Sequence, residues 1–177
     1  MKLEHIKSGV AEAASALMGI QVTVGQMGTS DARAASAWPS HPSGYGEWPW
    51  EEWVHQYRHD KSMHFMHMSI AGTSVSSRSI FAAFCLKMPK EKDYISLKFV
   101  ASDLRGGAWS GKVLSSFFLG IRLAKEESPS PVNQLWIVDP APGLVPTYEA
   151  YAQPAGYLVK GRVMEKSVVQ RIEFKFA

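Results

Sequence analysis

The chain has 177 residues, about one average domain and long enough to bury a core. Charged residues are 20% against 46% apolar and 11% aromatic, which excludes intrinsic disorder, and 19 Lys and Arg against 16 Asp and Glu give a net charge of +3 with the six histidines neutral. The longest apolar stretches, Ile80 to Leu86 and Phe117 to Ile121, fall short of the roughly 18 to 20 residues of a bilayer span; Glu4 and His5 stand where a secretory leader has its apolar segment; and the lone Cys85 excludes an internal disulfide, so a cytoplasmic protein with no membrane partner is expected.

Lys2 to Met18 place Leu3, Ile6, Val10, Ala13, Ala14 and Leu17 at three- and four-residue steps, one apolar stripe of a helix that Gly19 ends. Something must cover that stripe, and a homodimer is one way to do so. Ile20, Val22 and Val24 alternate with polar residues as a short half-buried strand. Gly28 to Asp31 then supply capping side chains for the alanine-rich segment Ala32 to Trp38. Pro39 to Pro49 is too rich in Pro and Gly for a regular element and reads as a loop. A helix from Trp50 to about His59 follows.

Met63 to Ile70 and Ile80 to Met88 read as an antiparallel pair, and Tyr94 to Val100 alternates as a third strand. A glycine turn, Arg105 to Gly111, leads from it into the amphipathic stretch Lys112 to Lys125. Leu135 to Val138 then fits a strand parallel to Tyr94 to Val100, reached by a right-handed crossover. A short helix near Leu144 to Ala152 and two strands, Tyr157 to Val163 and Val168 to Phe176, complete the order.

A strand ending in a glycine turn that opens a helix offers free N–H groups at the positive end of the helix dipole, a physical site for phosphate. Its residues are Arg105, Gly106, Gly107, Ala108, Trp109, Ser110, Gly111 and Lys112. The pI near 9.0 permits an anionic ligand. The basic residues are scattered and no reading motif is present, so nucleic acid is not an expected partner. His55, His59, His64 and His67 cluster in sequence, but no Glu follows His55 as in a zinc-protease motif, and no metal is expected.

RGGAWS beginning at Arg105, with Leu144, Tyr148, Glu149 and the pair Gly156-Tyr157 some forty residues later, resembles the GCN5-related N-acetyltransferase (GNAT) family over roughly residues 20–176. The resemblance implies an α/β (α+β) fold: a mixed, mostly antiparallel sheet of six or seven strands flanked by helices, forming one domain over 1–177 with residues 1–19 an extra N-terminal helix. It also implies transfer of an acetyl group from acetyl-coenzyme A to a small-molecule or peptide amine by direct attack in a ternary complex. Phe99 and Val100 would hold the pantetheine arm and polarise the acetyl carbonyl. Arg105 to Lys112 would hold the pyrophosphate, and Tyr148 would protonate the thiolate. Asp93, or a water near Ser96, would serve as base. Tyr45 and Trp50 are candidates for an aromatic acceptor pocket. Two alternatives remain open. One is a non-catalytic protein of this fold acting through a protein partner, favoured by Ala108 and Ser110, which stand where the family has glycines. The other is an acetyltransferase acting on charged transfer RNA, which would need a contiguous basic face.

Overall fold

A computed structural model describes residues 1–39, 48–72, 80–103, 105, 109, 111–128 and 130–177. The elements are α1 (Leu3–Met18), β1 (Val22–Gln26), α2 (Thr29–Ser36), α3 (Trp50–Gln56), β2 (Met63–Ile70), β3 (Ile80–Lys87), β4 (Tyr94–Ser102), α4 (Lys112–Glu127), β5 (Gln134–Val138), α5 (Val145–Ala152), β6 (Tyr157–Glu165) and β7 (Val168–Phe176). The strands form one sheet in the order β1-β2-β3-β4-β5-β7-β6. Every neighbouring pair is antiparallel except β4 and β5, which run parallel as the crossover through α4 requires.

One face of the sheet carries the main core. Alternate positions such as Met66, Met68, Ile95, Leu97, Leu135, Ile137, Ile172 and Phe174 pack there with Phe117, Phe118 and Ile121 of α4 and Tyr148 of α5. The apolar stripe of α1 joins this core: Ile6, Val10 and Ala14 are fully buried. The stripe is therefore covered largely within the chain, although Leu17 stays exposed. Its cover is α4, and the two helices meet at glycines. A Cβ on Gly9 would overlap the carbonyl oxygen of Gly120, and one on Gly120 would overlap the backbone of Val10, so only glycine permits this close approach.

Among the described residues, the helical cover of the opposite face lies over β1 to β4. There α2 and α3 enclose a second core of Met27, Trp38, Trp50, Phe65, Ala83 and Cys85. Asp31 accepts the Gly28 N–H at 2.9 Å and lies 3.9 Å from His67 Nε2, both side chains buried. Burial holds His67 below the ordinary imidazole range, against the pull of Asp31. The Cys85 thiol is pushed up to about 12 by the same desolvation.

Helix α3 stops at Gln56, three residues before the expected end. The run Gln56 to Lys61 has no apolar stripe to hold it against the sheet, and His59 instead accepts a hydrogen bond from Arg58 Nε at 3.0 Å. His55 and His59 therefore do not share a helical face.

Candidate functional site

Strands β4 and β5 are paired from Tyr94↔Gln134 to Leu97↔Ile137 and then part. The register of β4 against β3 slips between Leu86↔Leu97 and Cys85↔Phe99, leaving Lys98 as a bulge. Beyond it β4 continues along β3 alone. The Asp103 N–H bonds to the Phe81 carbonyl at 2.8 Å. Alternation along an antiparallel ladder then turns the polar groups of Ala101 and Phe99 toward β3 as well, and those of Val100 away from it, into the fork.

A cavity of about 380 Å3 fills this fork. Its walls come from Leu97 to Ser102 on β4, Ile137 and Val138 on β5, Asp139 to Ala141 beyond β5, Thr147 and Tyr148 on α5, Gly111, Val113 and Leu114 at the start of α4, and Trp38 and Trp48 on the α2–α3 side. The cavity thus passes between the two faces of the sheet. On the far side Trp38 and Trp48 also line a shallower groove with Glu51, Glu52 and His55.

The structure gathers only part of the expected site. Tyr148 lines the cavity at 8% exposure, and desolvation raises its phenol above the ordinary value. Phe99 and Val100 line it as well, but they differ: the Phe99 ring stacks on Trp53 at 3.8 Å, while Val100 packs toward the main core and opens its backbone to the fork. Gly111 begins α4 with φ +75°, and a Cβ there would run into the Tyr151 hydroxyl. The N–H groups of Lys112 and Val113 both bond to the Trp109 carbonyl, at 3.0 and 3.4 Å, so they are not free donors. Trp109 packs its ring 5.2 Å from Phe81 and joins the main core. Arg105 is bound bidentate to Asp103 at 2.8 and 2.7 Å, which holds the Asp103 carboxyl below its usual range.

Two candidates sit elsewhere. Trp50 is fully buried against Trp53, Phe65 and Phe99, so it presents no face to an acceptor; Trp48 and Trp38 are the tryptophans at the cavity. Asp93 precedes the paired end of β4, six residues before Phe99, where its carboxylate accepts from Gln134 Nε2 at 2.8 Å. It is not part of the cavity wall, and Ser96, in the same paired half, is buried. Tyr45, Gly106, Gly107, Ala108 and Ser110 lie outside the described residues. Among the described residues no group of three or more His, Cys, Asp or Glu converges on one point, no helix is long and apolar enough to cross a membrane, and the cavity wall holds no histidine.

Sequence reasoning missed Asp139. It follows β5 with φ +49°, a conformation uncommon outside glycine, and lines the cavity. A signal was present: ligands of parallel strands bind beyond their carboxyl ends, and Asp139 is the first residue past the carboxyl end of β5.

No protein-family model matches the sequence, and no curated sequence matches it. Solved structures do. A protein of the GNAT family from Desulfovibrio desulfuricans superposes with a TM-score of 0.52 at 14% identity, over 88% of this chain and 98% of that one. The fold is that of the GCN5-related N-acetyltransferases. Within the GNAT fold, a chimera of the Vibrio cholerae spermidine N-acetyltransferase SpeG and hSSAT matches with a TM-score of 0.57 at 10% identity, covering 87% of this chain and 93% of its own. AtaTR bound with acetyl-coenzyme A matches at 0.53 and 12%, covering 87% and 92%.

Proposed function

We propose that this chain is an N-acetyltransferase that moves an acetyl group from acetyl-coenzyme A to a small-molecule or peptide amine in the cytoplasm. The observation that carries the reading is the β4–β5 fork, which exposes the Val100 backbone inside a cavity walled by Tyr148 and reached from both faces of the sheet. A donor entering from the α4 side and an acceptor entering past Trp38 and Trp48 would meet there. That intact cavity is also why catalysis is preferred to a non-catalytic role.

The residues divide the work as follows. Val100 holds the pantetheine arm by its free backbone groups and polarises the acetyl carbonyl with its N–H. Phe99 keeps β4 in place by its stack on Trp53. Arg105, with the N–H groups of Gly106, Gly107, Ala108, Ser110 and Gly111 and the Lys112 ammonium, takes the pyrophosphate. Tyr148, kept protonated by burial, donates its proton to the departing thiolate. Trp48 and Trp38 form the acceptor side, where a protonated amine is attracted to the ring faces. Residues 1–177 act as one domain with α1 as an addition, supported by the sharing of one core between α1 and the sheet.

The test is thiol release from acetyl-coenzyme A with spermidine, tyramine or a lysine-containing peptide, and mass spectrometry of the product. An acetylated amine is expected; no thiol release with any amine, under conditions where a known acetyltransferase turns over, would refute the reading.

A further inference from the structure

The proposed reaction needs a group to take a proton from the acceptor nitrogen as it attacks, and Asp93 stands at the wrong end of β4. Three titratable side chains among the described residues line the cavity: Lys98, Asp139 and Tyr148. Tyr148 is committed as acid, and a lysine ammonium has donors but no acceptor. Asp139 is the one carboxylate.

Its placement favours that use. The Asp139 N–H bonds to the Gln170 carbonyl at 2.8 Å, which pins the residue to β7 just where β5 ends. The backbone there is left-handed, φ +49°, a conformation that Asp tolerates better than most side-chain-bearing residues. The side chain is exposed, and its carboxylate has no hydrogen bond or ion pair with any described residue. Across the fork lie the open Val100 backbone and Tyr148. Lys98, on the bulge of β4, lines the same cavity, and Arg171 is the register partner of Val138; Arg171 is engaged by Glu173 at 2.9 Å and lies 4.1 Å over the Trp136 ring.

We propose that Asp139 is the catalytic residue that receives the acceptor amine and removes its proton, a role that rests on the acetyltransferase reading above. The acceptor arrives as an ammonium drawn to the carboxylate and first loses one proton to solvent. The nitrogen lone pair then forms the C–N bond, the C–S bond breaks, and its electron pair leaves on sulfur, which takes the Tyr148 proton. The second N–H proton passes to the Asp139 carboxylate. Asp139 releases that proton to water and Tyr148 regains one, so ammonium and thioester become amide, thiol and one free proton.

The test compares wild type, Asp139→Asn and Asp139→Gly with acetyl-coenzyme A and the best amine of spermidine, tyramine and lysine peptide. Asn and Gly both tolerate φ > 0, so neither variant perturbs the backbone. The expected result is a fall in kcat/KM of about 100-fold or more, unchanged calorimetric affinity for coenzyme A, and loss of the lower-pH ascending step of the wild-type pH profile. A fall of less than about threefold, or a large fall that keeps that ascending step, overturns the assignment while leaving acetyl transfer intact. Wild type inactive toward all three amines instead overturns the acetyltransferase reading, and this assignment with it.

Discussion

Strand β4 is two different structures joined at a bulge. From Tyr94 to Leu97 it is bonded to β5, with Ser96 and Leu97 paired to β3 as well, and Ile95 and Leu97 are buried in the main core. From Lys98 to Ser102 it keeps β3 but loses β5, and the space that β5 vacates is the cavity. The same strand therefore supplies stability at one end and, among the described residues, backbone without a second strand partner at the other. Buried backbone groups are almost always paired, so an open stretch beside a cavity is where a ligand is expected to supply the missing partners.

That contrast is sharpest at Tyr148, on the open side. Tyr148→Phe should lower kcat about 100- to 10,000-fold while leaving the unfolding midpoint unchanged, because the hydroxyl bonds to no described residue. Its phenol is raised above the usual value of 10.0 by burial, so the wild-type rate should decline on the alkaline side only as pH climbs through that raised value. A decline beginning near neutrality, or an active Phe variant, would break the assignment. At the closed end, Ile95→Ala should behave oppositely, costing about 2–5 kcal/mol in urea unfolding with kcat/KM of the folded protein unchanged.

Gly111 tests the border between the two. Gly111→Ala must place a Cβ at φ +75° and against the Tyr151 hydroxyl, so a cost of about 1–2 kcal/mol is expected, read as a lower unfolding midpoint and roughly tenfold weaker coenzyme A binding. The smallest effect belongs to Asp93→Asn, which should shift stability by less than about 0.5 kcal/mol and leave the pH–rate profile unmoved. A changed profile there would return Asp93 to the chemistry.

The order and type of the α-helices and strands were legible in the sequence because periodicity is local: alternation in Tyr94 to Val100 and the stripe in Lys112 to Lys125 need no partner to be read. The failures at the site are tertiary. Which end of β4 is open depends on the register with β5, four residue pairs long, and that decided against Asp93 and for Asp139. Trp50 resembled its neighbours in sequence, but its contacts with Phe65 and Phe99 bury it, while Trp48 remains at the cavity. The stripe of α1 announced a contact without naming α4, because the glycines that allow it, Gly9 and Gly120, are 111 residues apart. Arg105 carried the resemblance, yet its pairing with Asp103 is visible only in the fold.

The central claim is that the open half of β4 and the loop after it hold acetyl-coenzyme A. Isothermal titration calorimetry of the purified protein with acetyl-coenzyme A, beside Arg105→Glu, tests it most directly. The account predicts a dissociation constant of roughly micromolar order for wild type, weakened at least about tenfold in the variant; no heat of binding at millimolar ligand would contradict it.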